Sequence, residues 1–120
     1  MTRRILIVDD SGFQRTLVRG ILEEDFEVVG EAENGAEAVE LFEETKPDLV
    51  TMDIMMPEVN GIEATGDIKS RDPETRVVMC TSVEQRDKMK QAVKAGADGY
   101  VTKPVEEDTL RDEVESALAV

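Results

Sequence analysis

Leu49-Val50-Thr51-Met52-Asp53 is a short, mostly apolar stretch that ends in a single carboxylate, and Ile54-Met55-Met56-Pro57 follows it. A lone charge is costly inside an apolar run and cheap at its open end. The stretch, with Asp48 in front of it, therefore reads as a buried strand whose last residue, Asp53, stands at the mouth of a sheet. The same arrangement recurs along the chain. Arg3 to Asp9 has the apolar run Ile5-Leu6-Ile7-Val8, which leads into Asp9-Asp10; Arg76 to Cys80 leads into Thr81-Ser82; Asp98 to Thr102 leads into Lys103-Pro104. Phe26 to Ala32 is weaker, and Glu27, Gly30 and Glu31 give it the look of an edge strand.

Between these strands the apolar spacing changes to that of helices. Ser11 can cap a helix with Gln14 three residues on, a capping-box pattern, and Phe13, Leu17, Val18, Ile21 and Leu22 are expected on its inner face. After Asn34-Gly35, a second helix carries Ala38, Val39, Leu41 and Phe42, and Lys46-Pro47 stops it. Ile62 to Arg71 forms a third. Glu84 to Ala95 forms a fourth, ended by Gly96 as a left-handed cap. A fifth runs from about Glu106 to Ala119, with Leu110, Val114, Ala117 and Leu118 inward. Five alternating strand-helix units imply an α/β fold: a flavodoxin-like, doubly wound parallel sheet of order 2-1-3-4-5. In such sheets ligands bind at the carboxyl ends of the strands, beside the switch point between strands 1 and 3.

Composition narrows the function. The 120 residues suit one domain, expected to span the whole chain with no effector domain after it. The net charge of −14, from 14 basic and 28 acidic residues, repels nucleic-acid phosphates. The apolar runs, of about 4–6 residues, are too short to span a membrane, and the basic start Met1-Thr2-Arg3-Arg4 has no h-region behind it. A cytoplasmic location follows. Cys80, the one cysteine, is expected to be a buried structural thiol. Two readings of the acidity remain open, an ordinary acidic cytosolic protein and a halophile's protein, with the halophile favoured.

The strand ends bring Asp9, Asp10 and Asp53 together, and three carboxylates so close call for a cation. Oxygen ligands and a chain without histidine point to a hard ion such as Mg2+ rather than zinc. With the ion in place, Asp53 can attack phosphorus as a nucleophile. Lys103 can meet the phosphoryl oxygens, and Thr81 offers a hydroxyl donor.

These residues make the chain resemble the receiver domain of two-component response regulators. The resemblance is carried by Leu6-Ile7-Val8-Asp9-Asp10-Ser11, Asp53-Ile54-Met55-Met56-Pro57 with Asn60-Gly61, Thr81-Ser82, and Gly96 through Pro104. It implies that Asp53 is the phosphoacceptor for a histidine kinase, and that Asp10 binds the metal directly while Asp9 acts through water. Met55 would offer its backbone carbonyl to the metal, Thr81 and Tyr100 would act as switch residues, Lys103 would bind phosphate, and Lys103-Pro104 would be cis. Residues 53–62 and 79–82 look most like stand-alone chemotaxis regulators. A chemotaxis-type kinase, a motor adaptor or switch protein and a monomeric state are expected. The side chains of Met55 and Val83 would tune dephosphorylation.

Glu84 to Ala95 departs from the acidic trend, with Arg86, Lys88, Lys90 and Lys94 against Glu84 and Asp87. With Tyr100, it is the expected partner face. A flavin carrier lacks aromatics for stacking, since the chain has no tryptophan and one tyrosine. A metal-dependent phosphatase would want a second acid where Met55 stands. A phosphorelay intermediate, or the receiver of a DNA-binding regulator, shares the site and stays open as an alternative.

Overall fold

Apolar residues on both faces of a strand require cover on both faces, and the computed structural model, which describes residues 2–56, 59–82 and 87–119, provides it. Strands β1 (Arg4–Val8), β2 (Glu27–Ala32), β3 (Leu49–Asp53), β4 (Arg76–Thr81) and β5 (Gly99–Thr102) form one sheet, order β2-β1-β3-β4-β5. All pairings are parallel. The helices between them are α1 (Gly12–Leu22), α2 (Gly35–Thr45), α3 (Gly61–Arg71), α4 (Met89–Ala95) and α5 (Glu107–Leu118). The expected order is thus observed, with β2 at an edge and, α4 apart, element ends that differ from expectation by a residue or so in either direction.

Side chains alternate across a strand, so β1 feeds two cores. Leu6 and Val8 join Val50, Met52, Phe42, Ile68 and Ala92 beneath α2, α3 and α4. Ile5 and Ile7 join Leu49, Val78, Ile21, Leu22, Leu110 and Val114 beneath α1 and α5. Each of the larger side chains, Ala92 apart, contributes about 1.5–3 kcal/mol when fully buried. Among the described residues, no helix is long and apolar enough to cross a membrane.

The helix ends follow their local chemistry. Asn34 caps α2 by accepting the Glu37 N–H at 2.8 Å, and Lys46 closes it in the left-handed region (φ 48°) before Pro47. Asn60 caps α3, accepting from Ile62 and Glu63. Gly96 ends α4 at φ 114°, as expected. The Lys103-Pro104 bond is cis.

Three expectations change. Phe13 is 75% exposed rather than inward. At about 100° per residue it stands about 130° from the mean direction of Val18, Ile21 and Leu22. The capping box is only half made. The Ser11 hydroxyl accepts the Gln14 N–H, but the Ser11 N–H donates to Asp9 Oδ1 at 2.9 Å, so Gln14 Oε1 is left buried without a partner among the described residues. Helix α4 starts at Met89; its expected beginning at Glu84, with Val83 and Arg86, lies outside the described residues.

Candidate functional site

Parallel register places the strand ends side by side. Val8 pairs with Met52, so Asp9 leaves β1 beside the end of β3, where Asp53 itself pairs with Cys80. Asp9, Asp10 and Asp53 each present a carboxylate oxygen within 4.8 Å of the others. Asp9 and Asp53 are buried, at 3% and 5% exposure, whereas Asp10 is exposed. Lys103, just past β5, puts its Nζ 2.9 Å from Asp9 Oδ2 and 3.4 Å from Asp53 Oδ1. Thr81 is the last residue of β4 and buried; its hydroxyl donates to the Ser82 carbonyl at 3.3 Å. The Lys103 N–H donates to the Thr81 carbonyl at 2.7 Å. The structure therefore brings together all five residues that the strand-end reading singled out.

The electrostatics are those of crowded acids. Burial, and next the charge of Asp9, push the Asp53 carboxyl up to about 6, against the pull of Lys103. Burial works against the Lys103 ammonium, but its hydrogen bond to Asp9 and the charge of Asp53 outweigh it, and its pKa is raised. Lys103 is thus firmly cationic, yet one ammonium does not neutralise three carboxylates. Burial pushes the Cys80 thiol up to about 12, so it stays protonated and inert, as expected of a structural cysteine.

These residues fit Mg2+. The donors are all oxygen, the excess charge is negative, and Asp10 faces solvent, from which a hydrated ion arrives. Asp9 has both oxygens engaged, one by the Ser11 N–H and one by Lys103, which suits contact through water. Met55 follows β3 in the adjoining loop and is 48% exposed.

Sequence reasoning missed Arg15 on α1. Its guanidinium donates to the Asp9 carbonyl at 2.7 Å and to Glu31 at 3.1 Å. The available signal was a basic residue one turn into the helix behind the acidic pair.

The expected partner face is only partly basic. Lys90 and Lys94 are exposed and Lys88 is half-buried. Arg86 lies outside the described residues. Val93 and Tyr100 are exposed at 61% and 52%. They line a cavity of about 480 Å3 with Thr81, Met89, Lys90, Lys94 and Thr102. Within this lining, Thr81 directly follows Cys80, the β4 residue that pairs with Asp53. On the other side of β5, however, Tyr100 shares a second cavity with Glu106 and Glu113, and the Glu113 carboxylate accepts the Tyr100 N–H at 3.4 Å. The face is bipolar, lysines on one flank and acids on the other.

Residues 5–115 match the response regulator receiver domain family. Over 118 residues the chain is 55% identical to the chemotaxis protein CheY of the halophilic archaeon Halobacterium salinarum, covering 98% of each chain. The response regulator domain of Thermotoga maritima CheB superposes with a TM-score of 0.92 at 38% identity, covering 100% of this chain and 98% of that one. A CheX-CheY-BeF3-Mg+2 complex from Borrelia burgdorferi gives a TM-score of 0.89 at 31% identity, over 95% of this chain and 87% of that one.

Proposed function

The chain belongs to the response regulator receiver family as a receiver of the chemotaxis CheY type, and from that premise we propose that it is a phosphorylation-dependent switch written at Asp53. The observation that carries this is the convergence of Asp9, Asp10 and Asp53 with Lys103 at one end of the sheet. Asp53 is the nucleophile. Its carboxylate oxygen attacks the phosphorus of a phosphohistidine on a chemotaxis-type kinase, the P–N bond breaks, and the imidazole leaves with the electron pair and takes up a proton. Asp10, Asp53 and the Met55 carbonyl, with Asp9 through water, would hold Mg2+, which would supply charge compensation for the phosphoryl oxygens. The Borrelia burgdorferi CheX-CheY complex includes Mg2+ and BeF3, which supports Mg2+ as the cation here.

Lys103 balances Asp9 and Asp53 before the reaction and turns its ammonium to a phosphoryl oxygen after it. Thr81 swings its hydroxyl toward the new phosphoryl group. That movement vacates one end of the cavity it shares with Tyr100, and the Tyr100 ring moves in from its half-exposed position. The surface formed by α4, β5 and α5 changes shape, and a motor adaptor or switch protein binds it. The receiver is a monomeric phosphoacceptor that catalyses its own phosphorylation and dephosphorylation; it is not a turnover enzyme on an external substrate.

The test is incubation with a small phosphodonor and Mg2+, read by intact mass. One phosphoryl adduct per chain is expected, lost on chelation and absent in Asp53→Asn. Multiple turnover of donor onto water without an adduct would favour a phosphatase and overturn the proposal.

A further inference from the structure

Arg15 has no part in the chemistry above, yet it is one of the most constrained cations in the protein. Its side chain is 19% exposed. Nη1 donates to the backbone carbonyl of Asp9 at 2.7 Å, and Nε donates to Glu31 Oε1 on β2 at 3.1 Å. The other Glu31 oxygen accepts from Arg19 Nε at 2.7 Å. The Arg19 hydrogen bond first, and that of Arg15 next, hold the Glu31 carboxyl below its usual range despite burial. A guanidinium is a planar fork of fixed geometry and spans both acceptors; an ammonium offers one point.

The carbonyl that Arg15 grips belongs to the peptide joining Asp9 to Asp10. Its orientation decides where the Asp10 backbone leaves β1, and so where the Asp10 carboxylate lies. Asp10 itself is exposed and depends on its backbone for aim. Asp9 is fixed independently, through Ser11 and Lys103.

We propose that Arg15 is a positioning residue for the cation site: clamped by Glu31, it orients the Asp9–Asp10 peptide and thereby the Asp10 carboxylate. The proposal rests on the reading of Asp9, Asp10 and Asp53 as a Mg2+ site. Charge and position act with opposite sign here. As a charge, Arg15 repels a divalent cation, and removing it would tighten binding. As a positioning group it tightens binding, and removing it loosens the site. Partners of this kind are worth roughly 10–100-fold in metal affinity.

The experiment is calorimetric titration of Mg2+ into the wild type, Arg15→Gln, Arg15→Lys and Glu31→Gln at one fixed salt concentration, with melting of each variant in chelator. Arg15→Gln is expected to weaken Mg2+ binding roughly tenfold. Arg15→Lys is expected to be similarly weak, because it keeps the charge but not the fork. Glu31→Gln, which leaves Arg15 in place and removes its anchor, should lose a few-fold. Unchanged or tighter binding in Arg15→Gln overturns the proposal, as does full recovery in Arg15→Lys. So does a lowered melting point with an unchanged Mg2+ affinity, the signature of a merely structural residue. If Arg15→Gln does not fold, Glu31→Gln decides alone. If the wild type takes up no Mg2+, the reading of the site falls, and this proposal with it.

Discussion

Asp53 sits 5% exposed between a like charge on Asp9 and an ammonium on Lys103, and its carboxyl is pushed from 3.8 to about 6, chiefly by burial. The folded chain therefore holds the Asp53 proton to higher pH than the unfolded chain does. Between pH 3.8 and about 6 the folded state binds more protons, so this group's contribution to stability falls as pH rises, and above about 6 its full cost is present. A shift of about two pH units corresponds to about 3 kcal/mol. Asp53→Asn in chelator at pH 7.5 should be more stable than the wild type by about 1–3 kcal/mol, and the gain should vanish near pH 4; urea denaturation at the two pH values checks both. Mg2+ needs the ionised form. Its affinity should therefore fall as pH drops below about 6, up to roughly tenfold per unit, with a proton released on binding in that range, which calorimetry in two buffers detects. At this scale the sequence was most legible where a residue stands at a strand end, because topology alone brings Asp9, Asp10, Asp53, Thr81 and Lys103 together. Arg15 and Phe13 were not legible. What they touch depends on how α1 is rotated against the sheet, which a periodicity that treats the whole apolar stripe as buried does not specify.

Among the elements, α3 is the one most tightly fitted to the site. A Cβ on Gly61 would come within 1.9 Å of the Asp53 carbonyl oxygen, and the Gly61 N–H donates to the Ile54 carbonyl at 2.8 Å. The helix start presses against the end of β3, and neither backbone has room to yield. Gly61→Ala should cost roughly 3 kcal/mol or more, read from the urea midpoint. Asn60→Ala, which only removes the cap, should cost about 1 kcal/mol. The output face is an element-scale feature too. Charge reversal at Lys90 and Lys94 should weaken binding of the phosphorylated form to its partner about tenfold or more, measured by titration with that partner; unchanged affinity would place the contact elsewhere. The lysines of this face were legible as a break in the acidic trend of one helix. Its bipolar character was not, because Glu106 and Glu113 reach Tyr100 only when α5 packs against β5 from the face of the sheet opposite α4.

Over the whole molecule, 28 acids face 14 bases, and many of the bases are committed. Arg111 alone pairs with Glu24, Asp25 and Glu107, and Lys69 with Asp98. Exposed pairs of this kind contribute about 0–1 kcal/mol each, and the remaining acids repel one another. Screening acts over about 10 Å at 0.1 M salt and about 3 Å at 1 M. The melting temperature should thus rise by several degrees or more between 0.1 M and 2 M KCl, and a flat profile would count against a halophilic adaptation. The order of the sheet was readable from alternation and the handedness of crossovers alone, since five units with apolar strands leave few packings that bury both faces. The acceptance of a phosphoryl group at Asp53 is the claim on which site, switch and output face all depend. After incubation with a small phosphodonor and Mg2+, borohydride reduction converts an aspartyl phosphate to homoserine, and peptide mass spectrometry reads its position. Homoserine at position 53 alone is the predicted result; conversion at Asp9 or Asp10, or no conversion with Mg2+ bound, would contradict it.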